Sequence, residues 1–358
     1  MKTNFLGKIL IALLYLIGNE GKSQSGGQGV FSVLESPFHA RTMAWGGYLL
    51  ALQQTDIQYT TNNPALLNHT LHHQYGATYG TLMPAVGETK GVVQGGAGYS
   101  YSHGLNNYSL HAQYIDYGTM EGYDAGKNPM GEFSANDLKF TMGYSREFFP
   151  REKGAKWVVG AQLGFVYSVL GPYVSNGIFT NYGVHYSPSD SSIQVGLAIK
   201  NVGAQLATYK NGEREDLPFN IQLGASYKPL HMPFRFHLTA HSLQKWDLTY
   251  NQYLNSGQVD LSGKELPQSE ANVVEKAVRH LAFGGELIMG RNLSVLIGYN
   301  HQRRMELISE NRRGATGFGW GIRFKVWKYH LTYASASLFP GVNTNTLSLS
   351  LMPGLNRR

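Results

Sequence analysis

Thirteen histidines are the most conspicuous chemistry-bearing residues of this 358-residue chain, and they invite a metal or acid–base reading. The nearest pairs are His72 with His73, and His237 with His241. The second pair has the i,i+4 spacing of two ligands on one helical turn. Its surroundings, however, alternate as a strand does, with Phe234, Phe236 and Leu238 set against Arg235, His237 and Thr239. Positions four apart on a strand lie ~13 Å from one another, too far to share an ion. The run Gly95-Gly96-x-Gly98 has the glycines of a phosphate loop but sits inside a strand pattern with no helix behind it. Glycine there suits a place where another backbone approaches closely. With no cysteine there is no thiolate metal site, cysteine nucleophile, disulfide framework or lipoprotein anchor. A Ser-His-Asp set whose members meet only in space stays open. No enzyme, metal or cofactor is expected.

Two polar segments carry a binding chemistry instead. Arg303, Arg304, Arg312 and Arg313 surround Glu306 and Glu310, and guanidinium groups bind phosphates bidentately. On a cell surface Arg303, Arg312 and Arg313 would contact lipopolysaccharide phosphates; a merely solvated loop is the plainer alternative. The polar segment 242–279 holds Trp246, Tyr250 and Tyr253. Interface energy concentrates on aromatics and arginine, so Trp246, Tyr250 and Arg304 are the predicted partner contacts. The same segment could equally be a hairpin that extends a strand.

The elements that position these residues follow from composition and period. The chain has 43 Gly, 23 Tyr, only 15% charged residues and a formal net charge of +7. Lys2 and Lys8 precede or flank the apolar run Ile9–Ile17, which is followed at once by a polar stretch. That order predicts a secretory signal peptide over 1–24. No later segment offers the 18 or so apolar residues of a transmembrane helix. A mean hydropathy of −0.26 does not exclude a membrane barrel, because lipid-facing and lumen-facing residues alternate and cancel.

From residue 72 the chain reads as 14 strands: 72–81, 91–101, 108–117, 137–148, 156–168, 177–187, 192–200, 219–228, 233–241, 280–288, 292–302, 315–325, 329–336 and 344–352. Most match the length that crosses a bilayer at a tilt rather than the shorter strands of soluble sheets. Long and short connections alternate, as they do between the two ends of an outer-membrane barrel. Tyr99, Tyr114, Trp157, Tyr186, Tyr227, Trp320 and Trp327 near strand ends fit interfacial girdles. The last strand lacks the usual terminal aromatic. A soluble sandwich would explain the alternation but would leave edges to protect, which a closed barrel abolishes. The expected fold is all-β, a 14-stranded antiparallel outer-membrane β-barrel over 72–352. Residues 25–71 do not read as strands; Asn63 as N-cap and Pro64 at the first helical position predict a short helix. This segment would plug the lumen.

Several local strings carry a family resemblance. They include Gly26-Gly27, Arg41, Gly46-Gly47, Asn63-Pro64-Ala65-Leu66-Leu67-Asn68, Leu217-Pro218-Phe219, His231-x-Pro233-Phe234-Arg235 and His241-x-Leu243-Gln244-Lys245-Trp246-Asp247-Leu248. The chain resembles the PorV/PorQ family of type IX secretion outer-membrane proteins, with the 231–248 stretch similar to its PorQ branch and no distinctive match beyond residue 255. The resemblance implies a barrel similar to the long-chain fatty-acid transporters, used as an anchor. It implies a surface partner, PorZ, and joint action with the sortase PorU and the shuttle PorV in attaching secreted cargo to anionic lipopolysaccharide. It brings no catalytic residues and no nucleic-acid partner. A transporter of hydrophobic small molecules is the alternative.

Overall fold

The computed structural model describes residues 30–352 apart from 53–55, 86–89, 124–125, 127, 149–154, 211, 213, 250–271, 307–314 and 340. The predicted signal segment lies outside the described residues. Fourteen antiparallel strands close into a barrel: β1 (Tyr75–Met83), β2 (Val92–His103), β3 (Asn106–Tyr123), β4 (Pro129–Phe148), β5 (Lys156–Leu170), β6 (Tyr173–Ser187), β7 (Ile193–Ala207), β8 (Asn220–Tyr227), β9 (Phe234–Ala240), β10 (Leu281–Met289), β11 (Leu293–Asn300), β12 (Phe318–Val326), β13 (Tyr329–Phe339) and β14 (Val342–Leu351). Each strand pairs with its sequence neighbour, and β1 pairs with β14 from Tyr75↔Leu351 to Thr81↔Asn345. No edge remains.

The period of two sorts side chains as a bilayer requires. Outward positions are apolar and exposed, for example Tyr79, Leu110, Met142, Leu163 and Phe236. Inward positions are polar and buried, for example Gln94, His111, Thr141, Gln162, Asn181 and Ser348. This inversion of the usual soluble pattern marks the outer face as lipid-facing.

The wall is uneven: β4 runs for 20 residues and β9 for 7. Three connections expected to be long are in fact tight. Residues 118–136, expected to be largely a loop, extend β3 and β4 beyond the outward apolar belt, pairing Thr119↔Ser134 and Met120↔Phe133. Likewise β5 and β6 run on to a turn at Gly171, and β13 and β14 run on until Phe339 pairs with Val342. Glycines and prolines such as Gly118, Gly122, Gly131, Gly171-Pro172 and Gly341 in these stretches read as turns and hide their strand character. The strand ends Met83, Ala207, Ala240 and Asn300, which the remaining longer connections follow, stand at that same end.

The N-terminal segment lies inside the barrel. It contains α1 (Ala40–Ala44) and single 3-10 turns at Ser32–Leu34, Ile57–Thr61, Pro64–Leu66 and His69–Leu71. Asn63 caps the third turn, accepting from Ala65 N at 3.0 Å, and Pro64 stands first in it. Trp45, Leu49, Leu50, Leu52 and Ile57 have no exposed surface. The wall makes room with glycine. A Cβ on Gly183 would stand 2.0 Å from Asn63 Oδ1, and one on Gly298 2.3 Å from the Ala44 carbonyl oxygen.

Candidate functional site

Two places combine buried polar chemistry with this chain's motif residues: the seat of the plug on β9–β12, and the rim above it. At the seat, His39 caps α1, its Nδ1 accepting from Arg41 N at 3.0 Å. That leaves Nε2 to donate to Asp56 Oδ2 at 3.0 Å. The cap aims Arg41 at the wall, where its guanidinium pairs with the carboxylate of Glu286 on β10. Arg235 on β9 reaches the same carboxylate at 2.6 Å, and Arg323 on β12 stands at 3.9 Å. The Arg41 guanidinium also donates to Tyr59 OH at 3.3 Å and lies 4.4 Å from the Trp45 ring centroid. Trp45 stacks on His237 at 5.1 Å and donates its indole N–H to Gly285 O at 3.1 Å. One carboxylate thus ties three arginines, two from the wall and one from the plug. A buried charge cluster of this kind fixes geometry rather than adding net stability.

At the rim, Gly46 and Gly47 take positive φ of 75° and 97°, a turn that suits glycine. Asn300 Nδ2 donates to the Gly46 carbonyl at 2.9 Å. The turn delivers Tyr48 face to face with His241, with ring centroids 4.3 Å apart. Burial, with His280 and Arg303 nearby, pushes His241 down to about 3, so its ring is neutral at ordinary pH. Both ring nitrogens of His280 face backbone carbonyls, Nδ1 that of His241 at 2.8 Å and Nε2 that of Trp246 at 3.1 Å, and a protonated nitrogen donates to the one it faces. Two short helices complete the rim, α2 (Val273–Arg279) and α3 (His301–Glu306). Lys276 on α2 pairs with Asp247 at 2.6 Å, and Asp247 also accepts from Thr249 N at 2.9 Å.

The structure separates the residues expected to act. Trp246 is 61% exposed and sits on this clasp beside Asp247, but Tyr250, Arg312 and Arg313 lie outside the described residues. Arg303 is a correction. It lies on α3 and turns inward, its guanidinium nitrogen 3.1 Å from where a Cβ on Gly47 would be, so it packs on the plug instead of facing lipopolysaccharide. Arg304 is half-buried on the same helix, its Cβ against Gly317.

Of the other motif residues, Asn63 also donates to Leu50 O at 2.9 Å. The Pro218 carbonyl accepts from Asn201 Nδ2 at 2.8 Å. His231 is exposed in the β8–β9 turn with φ 66°, and the Pro233 carbonyl accepts from Ile288 N at 2.6 Å. Glu286 and Arg323 carried no motif and were missed, although a lone carboxylate in Leu281–Met289 is a legible signal. Among the described residues no three His, Asp or Glu side chains are placed to hold a metal.

No family profile and no curated sequence matches the chain. Among solved structures, the Pseudomonas putida toluene transporter TodX superposes with a TM-score of 0.51 at 10% identity, covering 87% of this chain and 96% of that one. The Ralstonia pickettii toluene transporter TbuX gives 0.49 at 11% identity, over 88% and 97%. A Pseudomonas aeruginosa FadL homologue gives 0.47 at 10% identity, over 88% and 98%. The chain has the fold of FadL-type outer-membrane barrels. At these identities the likeness is one of fold.

Proposed function

We propose that this barrel is a non-enzymatic outer-membrane anchor that holds a surface protein at its loop-bearing end. The observation that carries the reading is the rim. Leu243, Trp246, Val273 and Val274 are exposed there, on a clasp fixed by Asp247–Lys276 and His280. Apolar side chains held rigid beyond the lipid belt are what a protein partner desolvates. The resemblance to the PorQ branch names the partner class: a PorZ-type surface protein, working with PorU and PorV to attach cargo to anionic lipopolysaccharide. Affinity purification from detergent-solubilised membranes tests this. Co-purification of such a surface protein, lost on Trp246→Ala with the barrel still inserted, is the expected result; retention on the variant would remove the rim from the docking surface.

A second reading, a transporter of hydrophobic small molecules, is supported by the fold shared with TodX. It needs an apolar route past the plug. The wall facing the plug carries polar residues such as His111, Thr141, Gln162, Asn181 and Ser348 beside apolar ones, Val166, Phe179 and Leu296, that pack on the plug. Uptake of toluene or oleate into proteoliposomes separates the two: flux above that of empty liposomes would favour the transporter.

A further inference from the structure

We propose that the outer face of β4–β7 carries a specific site for an anionic phospholipid of the leaflet on the short-turn side. The inference rests on the barrel fold and is independent of what the rim binds.

The site follows from register. On the lipid-facing side Tyr144, Ala161 and Tyr182 are direct cross-strand neighbours, in that order across β4, β5 and β6. Two tyrosine rings therefore flank an alanine, and side chains stand nearly perpendicular to a sheet. The result is a slot with Ala161 as its floor. One pleat towards the short turns, the next outward row is Arg146, Val159 and Val184, again small in the middle. Together these residues line a groove of about 430 Å³ whose surface is almost wholly apolar. It opens outward, so in the membrane its occupant comes from the lipid.

Arg146 identifies which lipid. Its side chain is exposed on the lipid-facing side, where an unpaired cation is costly. Among the described residues it has no ion-pair partner; its guanidinium carbon stands 6.0 Å from the Phe148 ring centroid. The following outward row, Phe148, Trp157 and Tyr186, is aromatic, with the last two rings 4.7 Å apart. Such a row marks the membrane–water interface. Arg146 thus stands at headgroup level at the end of an acyl-sized slot. A phosphate ester there satisfies the guanidinium bidentately while one chain lies over Val159 and Ala161 between Tyr144 and Tyr182.

Native mass spectrometry of the full chain, released from detergent with defined lipid, reads this directly. The wild type is expected to retain one phosphatidylglycerol about tenfold more tightly than phosphatidylcholine, whose choline cation repels the guanidinium by roughly the energy of one like-charge pair near a surface. Arg146→Gln should abolish that preference and Arg146→Lys restore part of it. Ala161→Phe should fill the slot and weaken both lipids. The heat-dependent gel shift of each variant confirms that the barrel has folded, and both positions face lipid. Equal retention of the two lipids by the wild type would overturn the proposal. So would an undiminished preference in Arg146→Gln, or a preference for lipopolysaccharide, which belongs to the opposite leaflet.

Discussion

On the β9–β12 side of the lumen the plug meets a carboxylate shared by Arg41, Arg235 and Arg323, and Trp45 stacks on His237. On the β3–β6 side it meets Ser109, His111, Gln113, Thr141 and Gln162, and beyond them Asp137 and Lys139 reach the backbone of Val33, Asp137 also accepting from Tyr117 OH at 2.8 Å and from Ser168. Ser109 Oγ, His111 Nδ1, Gln113 Oε1 and Thr141 Oγ1 have no hydrogen-bond partner among the described residues. The first side selects one position for the plug by charge. The second holds it by scattered hydrogen bonds, His111 with Thr60 Oγ1 at 2.8 Å and Gln162 to the Thr60 carbonyl at 2.9 Å, by a peripheral ion pair of Glu147 with His69 at 2.9 Å, and by glycines that leave room. A lumen can therefore hold its filling by one shared, buried carboxylate along one arc and by dispersed hydrogen bonds along the other.

The largest effect is expected where the charge lock is cut. Glu286→Ala leaves three inward arginines without their shared carboxylate, and removing one partner of a buried charge set costs about 3–5 kcal/mol. The midpoint of the heat-induced gel shift should fall. Hydrogen exchange should rise first over residues 39–46. An equal rise along 57–67, which faces the other arc, would show that the two sides are not held differently.

Next in size is acidification of the rim above the lock. Burial holds His241 at about 3, against an ordinary value near 6.5. The unfolded ring takes up its proton first, so the stabilisation is complete above pH 6.5 and is lost as pH falls towards 3. Exchange at residues 46–48 and 241–248, corrected for intrinsic rates, should quicken between pH 7 and pH 4.5. His241→Gln should flatten that dependence. A rim indifferent to pH would place the ring in water.

The glycine seat comes third and tests shape directly. Gly183→Val drives a Cβ into Asn63 Oδ1, and overpacking of this kind costs about 1–3 kcal/mol. Asn63→Ala alone loses a cap and the bond to Leu50 O, for about 1 kcal/mol. The double variant should cost less than the sum, because the second change removes the atom the first one strikes. Strict additivity in the gel-shift midpoint would mean that the plug moves away rather than resting on Gly183.

The barrel itself was legible because lipid imposes one rule on every strand. Tyr329, Leu331 and Tyr333 against His330, Thr332 and Ala334 give the two-residue period, and the length and number of such strands put the apolar face outside. Glycines and a proline interrupt the pattern in 118–136, which reads as a loop although it is paired strand. The short helix His301–Glu306 was read as part of a basic loop because four arginines dominate that stretch, and nothing local shows that Arg303 will find Gly47. The lock was half legible. Arg41 and Arg235 stood in motifs, whereas Glu286 joins them only when closure sets β10 beside β9 and brings α1 across from the far end of the sequence.

The smallest predicted effect discriminates best. Thr141 points inward from β4, is buried, and its hydroxyl has no partner among the described residues. A buried hydroxyl bonded to its neighbours would cost about 1 kcal/mol or more to delete, while one without a partner returns its desolvation penalty when removed. Thr141→Val is therefore expected to change the gel-shift midpoint by less than about 0.5 kcal/mol equivalent, with a gain as acceptable as a loss. A loss above about 1 kcal/mol would mean that the hydroxyl serves a hydrogen-bond network between wall and plug. Thr141 would then join His111 and Gln162 in holding the plug along this arc.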